Sequence, residues 1–227
     1  MTVLHLADDG ETADLAAFLS RLLHYDRSAA VRIQAAGTAL AVFGRPASFE
    51  VLAIRTARLA KPYEDGLDAT LDVTVSAGEL LESVDEAGAT ATVPGAVTGP
   101  PWAGVLPPRG GWRPEPGLPA LDELRRLVAA GVAEFRGRTQ QLAPEQRTRA
   151  ELDRIGHEIW SRTVADTGLP VRAVHAAHAL GFLRSAGSGP QDAPVLFSSG
   201  AWLRLRTPYG SVAVRRAGLG PLGLSVR

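Results

Sequence analysis

The stretch Ala30-Val31-Arg32-Ile33-Gln34-Ala35-Ala36-Gly37-Thr38-Ala39-Leu40-Ala41-Val42-Phe43 decides the reading of the fold. Two runs, 30–36 and 38–43, flank one glycine, the pattern of neighbouring antiparallel strands joined by a tight turn. A third run, 49–59, places Val51, Ala53, Arg55, Ala57 and Leu59 on one face and Leu52, Ile54, Thr56 and Arg58 on the other. The second face is not cleanly apolar, so another element is expected to cover part of it.

Before these strands, Val3 to Leu6 has strand character. Asp14 to His24 sets Leu15, Phe18, Leu19, Leu22 and Leu23 at helical spacing. After the meander comes a polar turn at 61–66, then a strand over 67–75. Ser76 with Glu79 three residues on forms a capping box that opens a short helix to about Val84, and 89–93 is a further strand. The order of strand, helix, three strands, then strand, helix, strand is an α+β layout. It is similar to the repeated half-domains of DNA sliding clamps, a resemblance of topology that carries over no residue.

With 227 residues, 45% hydrophobic and 21% charged, the chain has ample core material, and no apolar run reaches the roughly 20 residues of a membrane helix. There is no cysteine, which excludes disulfides, thiolate nucleophiles and sulfur-built zinc sites. The N-terminal residues lack a cationic region and an apolar run of signal length, so the expected location is cytoplasmic. The formal net charge of zero hides an asymmetry. Residues 1–100 carry 7 basic and 14 acidic residues, and residues 101–227 carry 17 basic and 10 acidic ones. Beyond residue 170, Arg172, Arg184, Arg204, Arg206, Arg215, Arg216 and Arg227 face a single acid, Asp192. Only this end is prepared for a polyanion.

Composition and charge divide the chain into an acidic α+β part at 1–97, a Pro/Gly/Trp-rich junction at 98–119 and a basic helical part at 120–227. Between Pro94 and Pro119 lie 8 of the 16 prolines and 6 glycines, together with Trp102 and Trp112. This segment is neither helix nor central strand, and it is too apolar for a flexible linker. Trp102, Trp112 and Arg109 either pack between the two parts or offer a face to a partner.

From Leu118 the pattern is helical, with Leu121, Leu124, Val128, Val132 and Phe135 along one face. A second helix is expected from Pro144 to Trp160, and a third from Pro170 to about Leu180, ending at Gly181. Two strands, 202–206 and 211–215, close the chain around Thr207-Pro208-Tyr209-Gly210 as a hairpin. In the first of these, Trp202, Arg204 and Arg206 share one face while Leu203 and Leu205 point inward.

Three helices and a hairpin, with Val164, Gly168, Leu169 and Val174 around the inter-helix turn, resemble a winged helix-turn-helix. That resemblance implies DNA contacts from Arg172, His175, Ala176 and Ala179 on the third helix and from Arg204, Arg206 and Tyr209 on the wing. Arg215 and Arg216 add to the basic surface. Against it, the third helix offers one permanent charge and few groups able to read base edges, and the acidic first part opposes DNA at long range.

Catalytic and metal motifs are sparse. His157-Glu158 lacks the second histidine of a zinc-protease helix, and His175 and His178 lack a third ligand nearby. Gly187-Ser188-Gly189 is not a hydrolase elbow, and no phosphate loop or dinucleotide fingerprint occurs. No cofactor or metal is indicated.

The run from Ala35 to Pro46, the Pro-Trp segment and Thr207-Pro208-Tyr209-Gly210-Ser211 together look like uncharacterised actinobacterial proteins that span the whole chain. That resemblance implies no activity. The expectation is a non-enzymatic macromolecule-binding protein, with DNA a candidate partner. A protein-interaction scaffold or self-association is the alternative, and an enzyme with a non-local site is the third reading.

Overall fold

A computed structural model describes residues 2–60, 71–185, 187, 189 and 192–216. The turn read at 61–66 and the first residues of the strand read at 67–75 lie outside the described residues, as does Ser188.

The first half begins with β1 (Val3–His5) and α1 (Asp9–Tyr25). Asp8 caps α1 by accepting from the Glu11 backbone N–H at 2.9 Å, and Leu15, Phe18, Leu19 and Leu22 form its buried stripe. The meander follows as β2 (Ala30–Ala36), β3 (Ala39–Gly44) and β4 (Leu52–Arg58). Next come β5 (Leu71–Ser76), α2 (Ala77–Glu82), capped by Ser76 as expected, β6 (Val84–Asp85) and β7 (Thr90–Thr92). The second half holds β8 (Arg113–Glu115), α3 (Leu121–Gln141), α4 (Arg149–Trp160) and α5 (Val171–Ala179). It closes with β9 (Val195–Ser199), β10 (Trp202–Thr207) and β11 (Gly210–Arg215).

The protein is α+β with antiparallel sheets. One sheet has eight strands in the order β5-β2-β3-β4-β11-β10-β9-β8, and a small one has the order β1-β7-β6. In the large sheet each half is a three-strand meander with one further strand outside it. The halves meet where β4 pairs with β11 through Leu52 with Ala213, Ala53 with Val212 and Ile54 with Ser211.

This joint changes the reading of the chain's end. The expected closing hairpin of two strands is a meander of three, extended by β8, and β11 is held by β4 from the first half. A wing stands free at the side of its helices, whereas β10 and β11 are each paired on both sides. The winged-helix likeness therefore stops at the order of elements. The second helix also starts later than read, because Pro144–Gln146 forms a separate 3-10 turn before Thr148 caps α4.

The inner face of the sheet carries Val31, Ile33, Leu40, Val42, Ala53, Leu203, Leu205, Val212 and Val214. All are buried in one core with Leu19 and Phe18 of α1, Leu124 and Val128 of α3 and Val174 of α5. Arg55 shares that inner face and is only 5% exposed. Its guanidinium pairs with Glu11 at 2.7 Å and Asp14 at 3.3 Å on α1, and donates to the Tyr209 carbonyl at 3.0 Å in the β10–β11 turn. One side chain thus ties strand, helix and the other half's turn together. Breaking a buried ion pair from one side typically costs about 3–5 kcal/mol. Arg55→Ala is therefore expected to lower stability by about that amount in chemical denaturation, while a surface control such as Arg126→Ala changes it by less than about 0.5 kcal/mol.

Candidate functional site on the outer face of the sheet

The face of the large sheet turned away from the helices has a mixed character that follows from strand alternation. Across the centre it presents Ala41 and Phe43, then Leu52, Ile54 and Thr56, then Ala213, then Trp202, Arg204 and Arg206. Phe43, Leu52, Ile54 and Ala213 are buried as a second small core, against which Trp102, Leu106 and Trp202 pack. Residues 94–112 thus cross the outside of both halves of the sheet as a strap.

The strap is fastened at both ends. At the β5 edge the Val97 N–H donates to Thr74 O at 2.9 Å, and Val75 bridges to Ala96. At the other end Ser199 Oγ donates to Gly110 O at 3.2 Å, and β8 continues the strap as a sheet strand along β9. Trp112 closes its own turn by donating Nε1–H to Pro108 O at 2.9 Å. The apolar clusters and rigid prolines explain why so glycine-rich a segment holds one path.

Between strap and sheet lies a groove of about 600 Å³. Ala39, Ala41, Ile54 and Thr56 line the sheet side, Pro107, Pro108 and Arg109 the strap side, and Arg58 and Arg204 the flanks. Its acid, Glu11, is already held by Arg55 and by Arg58 at 3.2 Å. Asp72 at the neighbouring edge is held by Arg32 at 2.7 Å, with Arg109 4.0 Å away, and these arginines keep its carboxyl below the ordinary range.

Arg204 differs from these. It stands between Phe197 and Ala213 on the flanking strands, with its guanidinium 5.8 Å from the Trp112 ring centroid. Its Nε is shielded and has no hydrogen-bond partner, and among the described residues no carboxylate pairs with it. Burial first, and then the like charge of Arg206, hold its pKa below the usual arginine value. The residue is half-buried, so its Nε is withdrawn from water while the side chain still reaches the groove, and no anion within the described residues accounts for its position.

The structure separates the remaining residues singled out from the sequence. Arg204, Arg206, Trp102, Trp112 and Arg109 share the outer face. Arg215, on the strand beside Trp202, lies 5.5 Å from that ring's centroid. Arg216 is engaged by Glu115 at 2.8 Å. Tyr209 belongs to the joint between the halves, with Arg184 stacked 3.9 Å over its ring and its hydroxyl donating to Ser185 O at 3.2 Å. Arg172 has a side chain 22% exposed, 3.9 Å from Glu50, in a second cavity of about 610 Å³ that also contains His157 and Ser161.

His175 is half-buried and borders a small cavity of about 340 Å³ with His178 and Arg136. Its ring stacks on Trp160 at 4.2 Å and meets Phe49 edge-on at 5.1 Å, in a chain of rings that continues to Tyr25. The residues that sequence reading overlooked are Arg55 and Arg58, with the small side chains of β3 that form the groove. Their signal was the polar content of both faces of β4.

Two family comparisons cover nearly the whole chain. Residues 1–104 match a domain of unknown function (DUF8010), and residues 107–219 match another domain of unknown function (DUF8185). The changeover falls within the strap. Comparison with curated proteins gives no match. Among solved structures, the crystal structure of the DNA polymerase sliding clamp from Pseudomonas aeruginosa with ligand is similar at 12% identity and a TM-score of 0.44. The alignment covers 97% of this chain and 66% of that one, so the chain spans just under two thirds of its length. Among the described residues no helix is long and apolar enough to cross a membrane, and no three His, Asp or Glu side chains cluster to hold a metal ion.

The His175 stack has a measurable consequence. Burial, and then His178, lower its pKa from the ordinary 6.5. Below 6.5 the unfolded chain takes up the proton before the folded chain does, so folding stability declines as pH falls through that window. Thermal melts from neutral pH downward should show this decline in the wild type, and His175→Phe, which keeps the stack, should reduce its slope.

Proposed function

We propose that this chain is a non-enzymatic macromolecule-binding protein whose binding face is the outer face of the large sheet beside the strap. The observation that carries the reading is Arg204, a half-buried arginine with an unbonded Nε and no carboxylate beside it among the described residues, on a groove whose other bordering arginines, Arg58 and Arg109, already have acids. Internal structure gains little from such a cation, whereas an incoming anion would find it already oriented.

The helical side of the molecule supports this choice by contrast. Arg138 pairs with Glu158 at 2.8 Å, Arg162 with Glu134 at 2.6 Å, and Arg154 with Glu151. These pairs neutralise Arg138 of α3, Arg154 of α4 and Arg162 just beyond α4 within the molecule. With Arg172 beside Glu50 and His175 stacked, α5 offers DNA less than its sequence suggested. Any polyanion binding should therefore depend on β10 rather than on α5.

Fluorescence anisotropy with labelled duplex DNA and labelled poly-L-glutamate, each at low and near-physiological salt, tests the reading. Salt-sensitive binding of at least one probe is expected, weakened roughly tenfold or more in Arg204→Ala/Arg206→Ala. Absence of binding by both probes at low salt, or equal binding by the double variant, would overturn it.

A further inference from the structure

Resting on that reading of the outer face, we infer that the groove takes an extended acidic polypeptide, with a partner's aspartate or glutamate side chain seated on Arg204 beneath Trp112.

Charge complementarity is the first argument. Three arginines border the groove: Arg58 is held by Asp8 and Glu11 and Arg109 lies 4.0 Å from Asp72, which leaves Arg204 as the bordering cation with no carboxylate among the described residues. The next exposed cation along β10 is Arg206, which has no acidic partner among the described residues. Arg204 and Arg206 project on the same face two residues apart, the repeat at which an extended chain presents alternate side chains. A strand with acids at every second position thus meets them in register, and guanidinium groups bind carboxylates through paired, charge-assisted hydrogen bonds.

The floor supplies the second argument. Ala39, Ala41 and Ile54 form an apolar sheet surface with Thr56 beside them, and Pro107 and Pro108 wall it. The other side chains of an alternating strand would rest on that surface, whereas a sugar-phosphate backbone gains nothing from it. Arg204 is also recessed under the strap, with Trp112 over its guanidinium and Nε shielded from solvent. A flexible peptide can enter such a groove. The rigid cylinder of duplex DNA presents its phosphates to open surfaces, and Trp112 is occupied by Arg204 and by its bond to Pro108, not displayed as a base-stacking platform.

This occupant also accounts for the cost of Arg204. Half-burying a cation and leaving its Nε unbonded costs the free protein part of that group's solvation, and an apolar residue of similar length should remove that cost. Arg204→Met is therefore expected to fold with an unchanged or raised melting temperature and yet to lose the ligand. An arginine kept for structure would behave in the opposite way.

The probes are a short fluorescein-labelled peptide alternating glutamate and valine, its glutamine counterpart, and labelled duplex DNA, titrated with the full chain at low salt. The glutamate peptide should bind, the glutamine peptide should bind roughly tenfold to a hundredfold more weakly, and Arg204→Met should weaken the glutamate peptide by a similar factor. Arg126→Ala, on the helical side, should leave binding unchanged. The inference falls if the glutamine peptide binds equally well, if Arg204→Met binds the glutamate peptide as the wild type does, or if its melting temperature drops steeply. It also falls, with the outer-face reading intact, if duplex DNA binds tightly, competes the peptide away and is lost in Arg204→Met. Loss of all Arg204-dependent binding overturns both.

Discussion

The fold depends on a joint of three residue pairs. Where β4 meets β11, Leu52, Ala53 and Ile54 lie against Ala213, Val212 and Ser211, and two meanders become one sheet. Such a short ladder would be a weak seam on its own. Arg55 follows directly on the first strand and reaches from the joint to Glu11 and Asp14 on α1 and to the Tyr209 carbonyl. Arg184 reinforces the same corner by pairing with Asp14 at 2.6 Å while stacking on Tyr209. The charge asymmetry of the sequence has a structural use here, because acids of the first half neutralise arginines of the second.

The joint also creates the outer face. Once the meanders are continuous, Leu52, Ile54, Phe43 and Ala213 form an apolar surface on the side without helices, and that surface has to be covered. Trp102 and Leu106 cover part of it, and the strap's prolines hold the remainder open as a groove. The strap therefore has two roles that share the same residues. It buries the apolar centre of the sheet, and it sets Trp112 beside Arg204 without supplying an anion.

Local signals in the sequence were sufficient for local elements. Helical spacing of Leu15, Phe18, Leu19 and Leu22 marked α1, Ser76 with Glu79 marked the start of α2, and alternation in Trp202 to Arg206 put the leucines inside and the arginines outside. The mixed face of β4 correctly called for a cover, and the Pro-Trp segment supplies it. What alternation cannot reveal is a partner more than 150 residues away, so the β4–β11 pairing was missed and the last strands resembled a wing. The strand β8 was missed because it is three residues long and contains Pro114, which is tolerated only at an edge. For His175, helical spacing revealed the helix but not the Trp160 and Phe49 rings packed against the imidazole.

Arg204 is where structure and proposed function converge, since its Nε is shielded and unbonded while its neighbours are an aromatic ring and another arginine. The most direct test is nitrogen-proton NMR of arginine Nε–H and tryptophan indole groups during titration with the glutamate-valine peptide. The Arg204 Nε–H and Trp112 indole signals should move together and saturate, with the helical side unchanged. Shifts confined to α3 and α5, or no shift at Arg204 while the peptide binds, would contradict it.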